Sequence, residues 1–212
     1  MSGNRVGRVL EIKTGTVTET AFVQTAAYIN LLGDAWRTDA AGFTYDEVSR
    51  KHTLNGRPVK SVTQIIRGFS YFGRFGNNTP DNIKYAAERG TAVHTVCAQY
   101  DMGMEPSGGD PRIEPYFEAW RKFRRETGVH FPDPQKSIEV PMVASDGSYC
   151  GKIDRITCDG DRYDPMVVNL LDDGDWKVIV PKKTYAYYLN VFRASQAAHE
   201  FYGGTNELIE EE

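Results

Sequence analysis

The chain has 212 residues, of which 40% are hydrophobic and 25% charged, so it is long enough to bury a sizeable core as an ordinary globular protein. Its net charge of −4 excludes a protein that coats nucleic acid through bulk positive charge, so any contact with DNA must be local. No apolar run approaches the length of a membrane span and the polar start is unlike a signal peptide, so we expect a cytoplasmic protein.

Hydrophobic periodicity and turn dipeptides predict strands and helices along the whole chain. In chain order the predicted elements are a strand over 5–13, a helix over 20–32, a hairpin over 43–54, a capped helix start at 61–66, an aromatic loop over 68–78, helices over 81–100 and 112–127, strands over 137–143 and 149–158, a hairpin of 166–171 with 176–180, and a helix over 184–202. This order predicts an α/β fold with a central mixed β-sheet flanked by helices.

We expect these elements to form a single domain over residues 1–212. Its parts are a strand-helix block over 1–33, a helical part and hairpin over 43–160, a C-terminal hairpin and helix over 161–205, and an acidic tail over 206–212. Cys97, Cys150 and Cys158 are odd in number and lack paired metal-type spacing. We therefore expect reduced thiols rather than a zinc or iron–sulfur site.

Two predicted strands each carry an acid that suits metal chemistry. Glu11 and Lys13 are two positions apart, so on a strand they project to the same side while Ile12 turns into the core. Asp154 lies among apolar residues, where an unpaired carboxylate would be costly. Two carboxylates from neighbouring strands can hold a cation such as Mg²⁺, and a nearby lysine can stabilise charge developing on a phosphate. The alternatives are a surface ion pair of Glu11 with Lys13 and an edge position for Asp154.

The predicted helices offer three further candidates. Gln24 and Tyr28 are spaced i, i+4 and share one helix face, which either leans over the site or is an ordinary face with a partly buried tyrosine. His94 follows Gly90, and a glycine there would let the helix approach the sheet closely. The alternative for His94 is an ordinary core or surface imidazole. Glu139, on the strand over 137–143, is a candidate outer-shell carboxylate.

Together these motifs resemble the PD-(D/E)XK nuclease superfamily, and within it the RecB-like and phage exonuclease branch. The matching fragments, as they stand in this chain, are Arg89-Gly90-Thr91-Ala92-Val93-His94, Gly151-Lys152-Ile153-Asp154, Glu11-Ile12-Lys13, Gln24-Thr25-Ala26-Ala27-Tyr28 and Lys60-Ser61-Val62-Thr63-Gln64-Ile65-Ile66. In the last fragment Lys60 replaces the proline that is usual before the serine. The fragments together extend over most of the chain.

The order of the fragments departs from that of the family. Family nucleases begin with the histidine helix and continue with the first acid strand and then the acid-x-lysine strand with its helix, whereas here the last block comes first, at residues 1–33. The resemblance therefore implies a restriction-endonuclease-like core with a permuted strand order. In such a core the strand of Glu11 still pairs beside the strand of Asp154, within one chain or through a segment-swapped dimer.

The resemblance also implies that the protein is a Mg²⁺- or Mn²⁺-dependent deoxyribonuclease that hydrolyses phosphodiester bonds. Exonuclease action is the mode of cleavage expected first. The implied roles are metal ligation by Asp154, Glu11, His94 and the Ile12 carbonyl, charge stabilisation or water orientation by Lys13, and substrate or lysine orientation by Gln24 and Tyr28. The implied partners are DNA, a recombination, repair or helicase protein and a second copy of the chain. A phage-encoded protein of this kind would act in the cytoplasm of a bacterial host.

Two rival functions are compatible with the same residues. One is a catalytically silent nucleic-acid-binding or assembly module on a nuclease scaffold, and the other is a structure-specific endonuclease. DNA contacts are expected from Arg67 and Arg89 beside the aromatic loop, whereas Ser61 and Thr63 either bind a phosphate at a helix start or merely cap the helix. The basic residues of the helix over 112–127 are expected to form a solvated face, namely Arg121, Lys122, Arg124 and Arg125.

Overall fold

A computed structural model describes residues 6–33, 42–46, 49, 51–67, 80–106, 109–157 and 162–202. The described chain is an α/β protein in which helices flank a mixed five-stranded sheet, and the predicted fold class is confirmed at this level. A second, three-stranded antiparallel sheet accompanies it. The aromatic loop over 68–78, the acidic tail and Cys158 lie outside the described residues, as does most of the linker over 34–42.

The strands and helices are β1 (Val6–Thr14), α1 (Thr20–Gly33), β2 (Phe43–Asp46), β3 (Lys51–Leu54), β4 (Arg57–Val59), α2 (Val62–Arg67), α3 (Pro80–Asp101), α4 (Glu114–Thr127), α5 (Pro134–Ser137), β5 (Ile138–Val143), β6 (Cys150–Ile156), β7 (Arg162–Leu170), β8 (Trp176–Ile179) and α6 (Tyr185–Tyr202). The predicted elements are all found among these. None of the helices in the described part of the chain is both long and apolar enough to cross a bilayer.

The large sheet has the strand order β5-β6-β1-β7-β8, with β1 in the middle. β1 runs antiparallel to β6 and parallel to β7, and Leu10 pairs with Arg155 on one side and with Met166 on the other. A central strand is covered on both faces, so consecutive side chains of β1 are buried. This position explains why the acid at Glu11 is as inaccessible as its apolar neighbours.

Two strands differ from the prediction. Asn55 and Gly56 form a turn between β3 and β4, so the predicted hairpin is part of a three-stranded meander whose third strand was missed. β7 begins at Arg162 rather than at residue 166, because its first residues are polar and include Pro165, which masks the alternating pattern. β8 pairs with β7 only from Val167 to Leu170, so at Pro165 β7 pairs with β1 alone.

Contacts divide the chain into two compact units. Unit 1 comprises Met1–Ala21, Phe75–Val140 and Lys152–Val180, and unit 2 comprises Phe22–Arg74, Pro141–Gly151 and Pro181–Glu212. In unit 1, α3 and α4 pack on one face of the sheet, where Trp120 and Phe123 belong to the same buried cluster as Leu10 and Ile12. Each such side chain contributes about 1.5–3 kcal/mol through its burial.

Unit 2 is held together by α2 packed against α6 and by aromatic contacts. Phe22 of α1 stacks on Tyr188 of α6 with ring centroids 5.4 Å apart, and Tyr149 meets Phe192 edge-on at 4.9 Å. Asn30 donates a hydrogen bond of 2.9 Å to the Tyr149 hydroxyl. These contacts fix α1 and α6 within the unit and give the hydroxyl of a buried tyrosine its partner.

Candidate metal centre

The candidate site in unit 1 begins at the point where β1 and β6 stop pairing. Their backbone pairing ends at Leu10 and Arg155, and beyond it the Ile12 N–H donates to the Asp154 carboxylate at 2.7 Å. The carboxylate thus takes the place of a backbone partner at a fork between the strands. The expectation that the strand of Glu11 lies beside the strand of Asp154 is confirmed, with β1 between two strands of its own chain.

His94 reaches this fork from α3. Its Nε2 lies 3.1 Å from the Ile12 carbonyl oxygen, and its Nδ1 lies 3.5 Å from Asp154 Oδ1 and 3.6 Å from Glu139 Oε1. Ligand atoms of His94, Glu139 and Asp154 all lie within 4.8 Å of one another. Gly90 is not what permits this approach, because a Cβ at that position would meet its nearest atom, Thr14 Oγ1, at an ordinary 3.9 Å.

Glu139 belongs to this group although the sequence indicated only an outer-shell role for it. Its backbone φ is 52°, in the left-handed region that a glutamate rarely adopts and that costs of order 1–3 kcal/mol. Lys152 Nζ lies 3.0 Å from one carboxylate oxygen, and Arg155 Nη1 donates to the other at 3.1 Å. A strained backbone held by two cations is typical of a residue that is kept in place for a site.

Arg155 is a residue that the sequence did not single out. Its side chain is fully buried and its Nε donates to Asp101 at 2.6 Å, while its Nη1 also donates to the Asp154 carbonyl at 2.6 Å. Asp101 in turn accepts from Trp120 Nε1 and from Arg124. Arg124 is therefore half-buried in this network, and its assignment to a solvated helix face was wrong.

Glu11 and Lys13 project to the same side of β1, as predicted, and form an ion pair of 2.5 Å. Glu11 is 1% exposed, so the alternative of a surface ion pair does not hold. Its second oxygen, Oε2, is buried without a hydrogen-bond partner among the described residues. An unsatisfied buried carboxylate oxygen costs of order 1–3 kcal/mol, and such an atom is suited to a ligand.

The charges of the site act on one another. Burial raises the pKa of Glu11 to about 7, Asp154 adds to that effect and Lys13 opposes it. Burial lowers the pKa of His94, but the carboxylates of Asp154 and Glu139 outweigh it and the pKa is raised. Burial also raises the pKa of Glu139, yet its hydrogen bond with His94 and the charges of His94, Lys152 and Arg155 bring that pKa to about 2. The site thus brings the carboxylates of Glu11, Glu139 and Asp154 together with the cationic groups of Lys13, Lys152 and Arg155.

The raised pKa of Glu11 leads to a prediction for the metal-free protein. Because the folded-state pKa of about 7 exceeds the ordinary glutamate pKa of 4.5, the folded state binds the proton more tightly and stability falls as the pH rises between those values. Glu11→Gln removes this titration, so its melting temperature should decline less from pH 5 to pH 8 than that of the wild type. Thermal unfolding in EDTA measures both slopes, and equal slopes would contradict the prediction.

Gln24 and Tyr28 lie on α1 in unit 2, where Gln24 Nε2 donates to the Tyr28 hydroxyl at 2.9 Å. They share one helix face, as their spacing indicated. The Tyr28 ring packs directly on Gly151, because a Cβ built at Gly151 would lie 2.4 Å from Tyr28 Cε1. The glycine of the fragment 151–154 is thus required by Tyr28, which belongs to another of the matching fragments. Orientation of a substrate by this pair stays a prediction.

The contact between Gly151 and Tyr28 can be tested by a double-mutant cycle. Gly151→Ala should destabilise the protein by about 1–3 kcal/mol, because the new methyl group overlaps the ring. The same substitution in a Tyr28→Ala background should cost much less, since the ring is gone. Chemical denaturation of the four proteins measures the coupling, and additive free energies of unfolding would contradict the contact.

The predicted DNA contacts fall in different places. Ser61 and Gln64 form a capping box at the start of α2, with Ser61 N–H donating to Gln64 at 2.8 Å and Gln64 N–H donating to Ser61 Oγ at 3.2 Å. Capping therefore accounts for Ser61. Thr63 is half-buried in the six-residue helix α2. The side chain of Arg67 lies outside the described residues, and Arg89 stacks on the Tyr116 ring at 5.0 Å.

Comparison with known proteins gives no family. No protein-family model, no curated protein and no solved structure matches the chain. The geometry and chemistry of the site are therefore the basis for any proposed function.

The residues at the fork fit a divalent cation. Imidazole and carboxylate donors within 4.8 Å of one another match the ligand types of Mg²⁺ and Mn²⁺ sites, and the unpartnered Oε2 of Glu11 adds a further acceptor. Of the four ligands expected from the sequence, Asp154 and His94 belong to the group of three. Glu11 lies outside that group but interacts with Asp154 through charge, and the Ile12 carbonyl contacts His94.

Proposed function

We propose that the protein is a metal-dependent deoxyribonuclease that hydrolyses DNA phosphodiester bonds with Mg²⁺ or Mn²⁺. The mode of cleavage that we propose is that of an exonuclease. The observation that carries the proposal is the convergence of His94, Glu139 and Asp154 beside the buried pair of Glu11 and Lys13. Acids that are distant in sequence meet at one fork together with an amine. Such a set suits phosphoryl chemistry, which needs cation ligands and a positive group near the phosphate.

We further propose that the chain has the restriction-endonuclease-like core of the PD-(D/E)XK superfamily with a permuted strand order. The sheet order supports this, because β1 lies between β6 and β7 although it precedes both by more than a hundred residues. The first strand of the chain thus occupies a central position in the sheet that chain order alone would not suggest. A site is defined by geometry rather than by sequence order, so the transposed block is compatible with the same core.

In this proposal each residue has a separate task. Asp154, Glu139 and His94 would hold the cation, and the free oxygen of Glu11 would turn to it as a further ligand. A bound divalent cation supplies Lewis-acid activation of water and of the phosphate. Lys13 donates to a phosphate oxygen and offsets the negative charge that develops as the bond to the leaving group breaks. Arg155 keeps Glu139 in position from the buried side.

Two assays test the proposal. Calorimetric titration of the protein with Mn²⁺ should show one saturable site, and linear duplex DNA should be digested with Mg²⁺ or Mn²⁺ but not in EDTA. An exonuclease leaves closed circular DNA intact, whereas cleavage of the circle would indicate the endonuclease. Binding of neither metal and no digestion would leave the silent DNA-binding or assembly module as the function.

A further inference from the structure

A cleft of about 410 Å³ opens in unit 1 at the carboxyl ends of the parallel strands β1 and β7. Its walls include Gly15, Thr16, Asn169 and Lys177. In open α/β sheets the crevice outside the carboxyl ends of parallel strands is the usual place for a ligand. The metal centre uses the other side of β1, so the cleft is a separate feature of the same sheet.

Asn169 is a polar residue of the cleft whose buried side chain has an unsatisfied hydrogen-bonding atom. It is 3% exposed, and its side-chain oxygen is buried without a hydrogen-bond partner in the described part of the chain. A buried amide left in this state costs of order 1–3 kcal/mol, which an apolar residue of similar size would avoid. A half-turn of the amide presents its NH₂ group instead of its oxygen, so the same side chain can donate to an anion.

The register of the sheet places Asn169 between two lysines. Asn169 pairs with Lys13 on β1 and with Lys177 on β8, so the three side chains lie on one face of three adjacent strands. Strands are about 4.8 Å apart, so the row extends about 10 Å from Lys13. Lys13 belongs to the proposed reaction centre, and the row therefore leads directly away from it into the cleft.

A second cation, Arg89, contacts two residues of the cleft wall. Arg89 stacks on the ring of Tyr116, which lines the cleft, and a Cβ at Gly15 would lie 3.7 Å from Arg89 Nη2. The Arg89 Nε is buried without a hydrogen-bond partner among the described residues. Asp172 and Lys177 of the lining offset each other in charge, so Arg89 beside the lining residues Tyr116 and Gly15 makes the local balance positive. The unpartnered N–H of Arg89 and the positive balance favour an anion, to which the Asn169 amide can donate after its half-turn.

We infer that this cleft is a phosphate subsite, which binds a backbone phosphate of the nucleic-acid strand beyond the phosphate held at Lys13. The inference rests on the proposed function for the identity of the anion. Asn169, Arg89 and the Thr16 hydroxyl donate hydrogen bonds to the phosphate, and Lys177 supplies charge at the open end. Lysine, arginine, asparagine and threonine are the side chains that commonly contact phosphates in nucleic-acid complexes.

The test measures binding of a single-stranded oligonucleotide of about eight nucleotides to the full chain in EDTA, where digestion cannot occur. Lys177→Glu should weaken binding by about tenfold or more, and Lys177→Gln should lower the slope of log affinity against log salt by about 0.7. Lys136→Glu is the matched control, because Lys136 is an exposed lysine of unit 1 paired with Asp133 away from the cleft. It should bind as the wild type does.

Asn169→Leu gives an independent readout. Because it replaces an unsatisfied buried amide by an apolar side chain with the same number and branching of heavy atoms, it should raise the melting temperature while weakening oligonucleotide binding several-fold. A purely structural asparagine would instead lose stability without a selective effect on binding. Unchanged affinity in both Lys177→Glu and Asn169→Leu, each folded, would overturn the phosphate subsite even if digestion is observed. Binding that depends on Lys177 in a protein that never digests DNA would keep the subsite and reject the nuclease.

Discussion

Asp154→Asn is expected to abolish metal-dependent digestion of DNA while leaving the protein folded. The substitution removes the negative charge that lies 3.5 Å from His94 but keeps an oxygen that accepts from the Ile12 N–H. Loss of an outer-shell partner already costs roughly 10–100-fold in metal affinity, and loss of a direct ligand should cost more. Calorimetry with Mn²⁺ and a digestion assay on linear duplex DNA measure the two effects.

Asparagine is a better replacement than alanine at this position. Asp154→Ala would leave the buried Ile12 N–H without a partner, at a cost of about 1–3 kcal/mol, so a loss of activity could reflect the fold rather than the metal. Asp164→Asn is the matched control, because Asp164 is an exposed aspartate on β7. Metal binding and digestion that persist in Asp154→Asn would contradict the proposed function.

Lys13→Ala is expected to lower the rate of DNA digestion by about 10²–10³-fold, equivalent to about 2.7–4 kcal/mol, because a positioned donor to the developing charge is lost. Mn²⁺ binding should survive, since Lys13 is not a ligand and Glu11 is released from their ion pair of 2.5 Å. This contrast separates the role of the amine from that of the acids. Single-turnover kinetics at saturating metal measure the rate of the chemical step.

Lys136→Ala is the control for this substitution, since it removes an exposed lysine of unit 1 without touching the site. Circular dichroism and thermal unfolding establish that both variants fold. A Lys13→Ala protein that digests DNA within about threefold of the wild-type rate would show that the amine only neutralises Glu11. A parallel loss of Mn²⁺ binding would show that Lys13 organises the acids instead of acting on the phosphate.

The sequence predicted much of the fold because the signals were local. Apolar spacing identified β1, α1 and α6 to within a residue or two, and Asn55-Gly56 marked a tight turn. The pairing of β1 with β6 followed from the resemblance rather than from any local pattern. The early start of β7 was missed because Pro165 and its polar neighbours do not alternate as a buried strand does.

The site was predicted in part for the same reason. Asp154, His94, Glu11 and Lys13 were visible because each sits in a short motif with a fixed spacing. Glu139 was underestimated because its φ of 52° and its contacts are properties of the folded backbone. The unsatisfied amide of Asn169 had no sequence signal at all, since only the assembled sheet shows that it is buried without a partner.

The distance in sequence between β1 and β6 also determines when the candidate site can form during synthesis. Ile12 and Asp154 are 142 positions apart, so during synthesis the central strand leaves the ribosome roughly 7–28 s before its neighbour at about 5–20 residues per second. Until then the nascent chain holds the amine and one acid without the fork that unites them with the others. A nascent or truncated chain that lacks β6 therefore lacks Asp154 and cannot form the fork at which the candidate metal ligands meet.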